Sequence, residues 1–224
     1  MPLRYVKIFD GFERFWHWTQ MALIMTLLFT GFGIHGFHTL LDFGTAVTTH
    51  VVAAIGLIVL WVFAIFWHIT TGTWRHYLPT VNGLWKVARF YAWDIFKGER
   101  HPYRKSYWRK HNPLQALSYL GLKLVLFPTI WVSGLLYLTY GFWGGSDLVG
   151  NDLQWVALVH TAIAYAMVMF IIIHLYLLTT GGSFIGHVKP MITGYDAVEL
   201  TPAEEAYLKE DEPDRVKELP AGTH

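Results

Sequence analysis

WVALVHTAIAYAMVMFIIIHLYLLT, residues 155–179, is long enough to cross a bilayer as a helix, yet it carries two histidines, His160 and His174. At about 1.5 Å and about 100° per residue, the step from one to the other is about 21 Å along the axis and a turn of only about 40°. Both rings therefore lie on one face of the helix. An ionisable side chain in hydrocarbon is costly and marks a functional partner. Two of them, on one face and at opposite depths, point to two bound centres stacked across the membrane.

Composition sets the class around that stretch. The chain has 224 residues, 54% hydrophobic and only 15% charged, against about 25% charged for a soluble domain. An integral membrane protein is expected, with one helical bundle as its core. The net charge of +1 implies nothing about nucleic acid, and no basic run interleaved with stacking aromatics argues for it, so no nucleic-acid partner is expected. Cysteine is absent, which excludes disulfides, cysteine-ligated clusters and covalent haem attachment. Electron chemistry in this chain would need a cofactor held by histidine or methionine. The N-terminus lacks the short apolar core and cleavage site of a secretory signal, so its first apolar stretch is read as a retained helix.

Four spans follow from the apolar runs: residues 15–36, 47–70, a third within 113–140, and 155–179. Residues 37–46 and 141–154 contain no Lys or Arg, the second carrying Asp147 and Asp152. Residues 71–112 carry Arg75, Lys86, Arg89, Lys97, Arg100, Arg104, Lys105, Arg109 and Lys110. Positive residues stay on the cytoplasmic side, so both termini and the long second connection face inward. The expected fold is all-α, an integral membrane four-helix bundle over residues 1–185, N-in and C-in, followed by a polar cytoplasmic tail, residues 186–224. Residues 82–97 read as an amphipathic helix on the cytoplasmic interface. Thr201-Pro202-Ala203-Glu204 reads as the capped start of a short tail helix, with mobile acidic chain beyond it.

Depth sorts the histidines. A b-type haem with two axial imidazoles needs rings on facing helices at one level. The outer level offers His50 and His160; the inner level offers His174 with either His17 or His68. The remaining histidines, His35, His38, His76, His101, His111, His187 and His224, read as hydrogen-bonding residues near helix ends or in loops. Gly31, Gly33, Gly56 and Gly134 would let a flat macrocycle or a neighbouring helix come close.

Arg14-Phe15-Trp16-His17-Trp18 at the first span, Thr30-Gly31 toward its far end, a histidine opening the second, and His-x13-His on the fourth form a recognisable set. It resembles the dihaem cytochrome b subunits of membrane oxidoreductases: the gamma subunit of formate dehydrogenase, and the b-type cytochromes of nickel–iron hydrogenases and thiosulfate reductase. The resemblance implies an inner haem held by His17 and His174, in preference to His68, and an outer haem held by His50 and His160. It also implies a quinone, menaquinone or ubiquinone, bound near the inner haem by Asn112 and Gln115 of Asn112-Pro113-Leu114-Gln115, with His174 close in depth. The formate-type members have glycine where Leu114 stands. As the start of a helix, Asn112 also reads as an N-cap.

The function expected is electron transfer in the bacterial inner membrane, in a multi-pass subunit. An iron–sulfur or multihaem subunit and a catalytic subunit on the outer face would exchange electrons with the quinone pool through it. Three other readings remain open: a free-standing cytochrome b561-like protein, a transporter using its histidines as proton relays, and a haem-free membrane anchor.

Overall fold

The structure is a computed structural model and describes residues 3–99, 102–103, 107–108, 110–143, 152–180 and 183–217. Arg100, His101, Arg104, Lys105, Arg109, Asp147 and His224, named above, lie outside those residues. The helices are α1 (Gly11–Ile34), α2 (Phe43–Thr71), α3 (Leu84–Ala92), α4 (Pro113–Leu138), α5 (Tyr140–Trp143), α6 (Asp152–Leu178), α7 (Phe184–Thr193) and α8 (Pro202–Glu210). The strands are β1 (Leu3–Lys7), β2 (Tyr195–Glu199) and β3 (Val216–Lys217). The fold is mostly helical, 75%, as the all-α expectation has it, with this small sheet in addition. Three helices, α2, α4 and α6, are long and apolar enough to cross a membrane by length and composition. Helix α1 has 24 residues but is not one of the three, because Glu13, Arg14, His17 and Gln20 crowd its opening turns.

The chain divides into two compact units. The first comprises Met1–Phe15, His68–Tyr119 and Leu175–His224; the second comprises Trp16–Trp67 and Leu120–His174.

In the first unit β1 pairs antiparallel with β2 on one side and β3 on the other, with Val6 opposite Asp196 and Val216. Val6, Ile8, Tyr107, Val198, Leu200 and Leu208 form a small buried core beneath it. The residues expected as tail are thus packed against the N-terminal segment. Their helix begins as the sequence indicated: Thr201 and Glu204 make a reciprocal capping box, with Pro202 in the first turn. The stretch expected at the interface is a helix only as far as Ala92, then a 3₁₀ turn, Asp94–Lys97. Val87 and Phe90 are buried there while Trp85, Trp93 and Phe96 are exposed.

The same unit buries an ion pair at the start of α1. Lys110 Nζ lies 2.6 and 2.8 Å from the two Glu13 carboxylate oxygens, with 5% and 2% of the two side chains exposed. The Tyr77 hydroxyl donates to Glu13, and the Asp10 N–H donates to it at 2.8 Å, capping the helix from its third residue back. Burial pulls the Lys110 ammonium below its ordinary value, and the Glu13 carboxylate opposes that pull. Burial, and then the same carboxylate, push the Tyr77 phenol well above its ordinary value.

In the second unit Ala53, Leu57, Leu60, Trp61 and Ala64 recur at helical spacing along α2 and are buried. Trp61 meets Trp16 of α1 at 5.3 Å between ring centres, and Phe127 and Trp131 of α4 at 4.8 and 5.8 Å. The opposite face of α2, through Val52, Val59, Val62 and Phe63, is exposed, as a lipid-facing surface is. Pro128 has no N–H to give the preceding turn, and its ring crowds the carbonyl four residues back. The helix widens just ahead of it into a π turn, Leu122–Leu126, which carries Lys123 with its ammonium 6.0 Å over the Trp16 ring.

The buried pair predicts a mutational signature. Glu13→Ala strands a buried ammonium and is expected to destabilise the protein by about 3–5 kcal/mol, whereas Glu13→Leu combined with Lys110→Met recovers most of that loss. Denaturant unfolding in detergent measures both; a single-variant loss no larger than that of an exposed pair would contradict the assignment.

Candidate functional site

His50 lies on the buried face of α2, four residues after Ala46 and three before Ala53. His160 lies on α6. Their ring centres are 6.4 Å apart with the planes at 66°. Each ring is held from behind through Nδ1: Thr30 Oγ1 of α1 is 2.9 Å from His50 Nδ1, and Ser133 Oγ of α4 is 3.0 Å from His160 Nδ1. The residue after each hydroxyl is glycine. A Cβ at Gly31 would sit 3.5 Å from His50 Cε1, and one at Gly134 only 3.2 Å from His160 Cε1. Four helices thus contribute to one small site within the second unit.

At the other end of α6, His174 stacks on Phe170 at 6.3 Å, with the rings 5° from parallel. His17 and His174 belong to the same unit. The Nδ1 of His17 is buried and has no hydrogen-bond partner among the described residues, an arrangement that a protein tolerates poorly unless something further binds there. His68 belongs to the first unit, where its ring sits 5.4 Å from that of Tyr77. The histidines read as hydrogen-bonding groups include His38, which bonds the Phe29 carbonyl at 2.8 Å, and His187, which bonds the Thr180 carbonyl at 3.1 Å.

The glycines separate in the same way. Gly31 and Gly134 border the paired histidines, whereas Gly33 makes room for His38, whose Cε1 would be 2.8 Å from an added Cβ, and Gly56 faces Leu23.

Asn112 and Gln115 form a reciprocal cap on α4: the Gln115 N–H donates to Asn112 Oδ1 at 2.9 Å, and the Asn112 N–H donates to Gln115 Oε1 at 3.1 Å. Pro113 occupies the first turn, where a missing N–H costs nothing. The Asn112 amide donates one hydrogen to the Tyr91 hydroxyl at 3.3 Å. An amide NH₂ has two, so one hydrogen on Asn112 and both on Gln115 are left over from the hydrogen bonds seen among the described residues.

Residues 8–194 match the family model for prokaryotic cytochrome b561. The chain belongs to that family. It is also similar to the protein named "Putative cytochrome YdhU" of Escherichia coli (strain K12), 31% identical over 199 residues that cover 85% of this chain and 74% of that protein. No solved structure matches. A cytochrome b561-family chain is an electron-transfer membrane protein, and the family implies b-type haem.

The rings of His50 and His160 fit such a group. Two metal–imidazole bonds of about 2 Å each, with the short reach from each ring centre to its nitrogen, together span about 6 Å, close to the 6.4 Å separating His50 and His160. With Nδ1 engaged on both rings, Nε2 is the nitrogen turned to a metal.

Ser133 was not singled out from the sequence, although the Ser133-Gly134 pair on α4 repeats Thr30-Gly31 on α1 and is a readable signal. Glu13 and Lys110 were also missed. They stand 97 residues apart, and nothing local marks either as buried.

His160→Ala is expected to lower the haem bound per chain, read from the reduced-minus-oxidised spectrum, whereas His38→Ala leaves it unchanged. Equal haem in His160→Ala and the parent would remove His160 from the ligand set.

Proposed function

We propose that the chain is a membrane subunit that passes electrons between an extracytoplasmic redox partner and the quinone pool by way of two b-type haems. The observation that carries this reading is the facing pair His50 and His160, held through Nδ1 at a separation that suits one iron. His50 and His160 hold the outer group; His17 and His174 hold the inner one. His174 lies about 21 Å further along the same helix, at about 1.5 Å per residue. Each bound haem supplies reversible one-electron chemistry, and the protein supplies ligation, orientation and a water-poor setting.

In this proposal α1 joins the three apolar helices as a fourth span, and the four form a bundle with both termini in the cytoplasm. The bundle sits in the bacterial inner membrane, in the manner of the formate dehydrogenase gamma subunit. The asymmetry of the connections supports that orientation, the Lys/Arg-rich one lying between the second and third spans. The absence of cysteine from the chain supports a separate partner: iron–sulfur clusters or c-type haems would belong to another subunit, and substrate chemistry to a catalytic subunit beyond it. Asn112 and Gln115 bind the quinone, menaquinone or ubiquinone. The amide hydrogens not used in the helix cap are donors suited to a quinone carbonyl.

Two experiments test the proposal. Affinity purification of the full chain from its native membrane is expected to bring down a subunit carrying iron–sulfur clusters or multiple haems; recovery of the haem-loaded chain alone would favour the free-standing reading. Asn112→Asp keeps the capping acceptor and removes the amide donors, so quinone-linked oxidation of the reduced protein should slow about three- to tenfold, the worth of one hydrogen bond, with haem content unchanged. Unaltered quinone kinetics in that variant would take Asn112 out of the site.

A further inference from the structure

The outer histidines are held by a motif that occurs twice, once on α1 and once on α4. The Thr30 hydroxyl lies 2.8 Å from the Thr26 carbonyl and 3.2 Å from that of Leu27. The Ser133 hydroxyl lies 2.7 Å from the Thr129 carbonyl and 3.1 Å from that of Ile130. A carbonyl can only accept, and a hydroxyl has a single hydrogen, so each hydroxyl commits that hydrogen to its own helix. Only lone pairs remain on Thr30 Oγ1 and Ser133 Oγ, and these face His50 Nδ1 at 2.9 Å and His160 Nδ1 at 3.0 Å. Two facing lone pairs would repel, so the proton must be on Nδ1. A neutral imidazole carries one N–H. With it on Nδ1 in both rings, both Nε2 atoms carry the lone pair that a metal requires.

We infer that Thr30 and Ser133 are positioning residues for the outer haem ligands, fixing the tautomer and rotation of His50 and His160 by accepting from Nδ1. This inference rests on the proposal that these two rings hold a haem. Gly31 and Gly134 complete the motif by leaving room for each Cε1. His17 shows no matching device among the described residues, where its Nδ1 has no hydrogen-bond partner, so the effect belongs to the outer haem. An acceptor on Nδ1–H raises the basicity of the ligand, and a more basic ligand favours ferric iron.

The test is redox titration and haem reconstitution of the full chain carrying Thr30→Val or Ser133→Ala. Each variant is expected to shift the outer haem toward the ferrous form by about three- to tenfold, the scale of one hydrogen bond, and to weaken its affinity by about 10–100-fold. The inner haem keeps its potential and so reports intact folding. Thr30→Ser and Ser133→Thr restore the parent values. A parent protein with no haem at His50 and His160 would overturn the functional proposal itself. A haem-loaded parent whose outer potential and affinity are unmoved by both variants would overturn only the positioning role, as would a shift shared equally by both haems.

Discussion

An imidazole buried among apolar helices needs a partner for each of its two nitrogens, because neither water nor a charged neighbour is there to satisfy them. The second unit is arranged around that requirement. Helical hydroxyls take one nitrogen of His50 and one of His160, and the two rings face one another across 6.4 Å. The other features of the unit follow. Gly134 stands where a side chain would press on the His160 ring, Gly31 lies against the His50 ring, and α1, α2, α4 and α6 each supply a residue to this cluster. Further along α2, Trp61 meets Trp16 and Trp131 edge-on and Phe127 at a tilt, an aromatic cluster that joins three of these helices.

The first unit solves a different problem with different means. Its buried charges are paired, Lys110 with Glu13, and its strands close a small core in which Val6, Leu200 and Leu208 are fully buried. Removing either charged partner leaves the other in a medium that solvates it poorly, which is why such pairs constrain geometry more strongly than they add stability. The network ties the opening turn of α1 to the segment before α4. Two residues beyond Lys110, the Asn112 side chain caps α4.

Much of this was readable from local pattern. Length and apolar runs marked α2, α4 and α6, and the His160–His174 step showed a shared face before any coordinates. Thr201 and Glu204 announced their capping box, and Asn112 its role at a helix start. What escaped was non-local. Pairing Leu3–Lys7 with Tyr195–Glu199 joins the two ends of the chain, and five residues with weak alternation do not advertise a partner so distant. Helix α1 was expected from Phe15 but starts at Gly11, because Glu13 reaches back to the Asp10 N–H, a contact that reads in sequence as an ordinary polar lead-in. Ser133 looked like one more small residue in an apolar helix. Its meaning depends on where His160 arrives.

The claim on which the account rests is that histidines on separate helices hold haem at two levels. The ratio of b-type haem to polypeptide in the purified, fully loaded protein tests it most directly. The account predicts two haems per chain, both low-spin in either oxidation state as two imidazole ligands require. A ratio of one, or a chain that folds and remains free of haem, would contradict it.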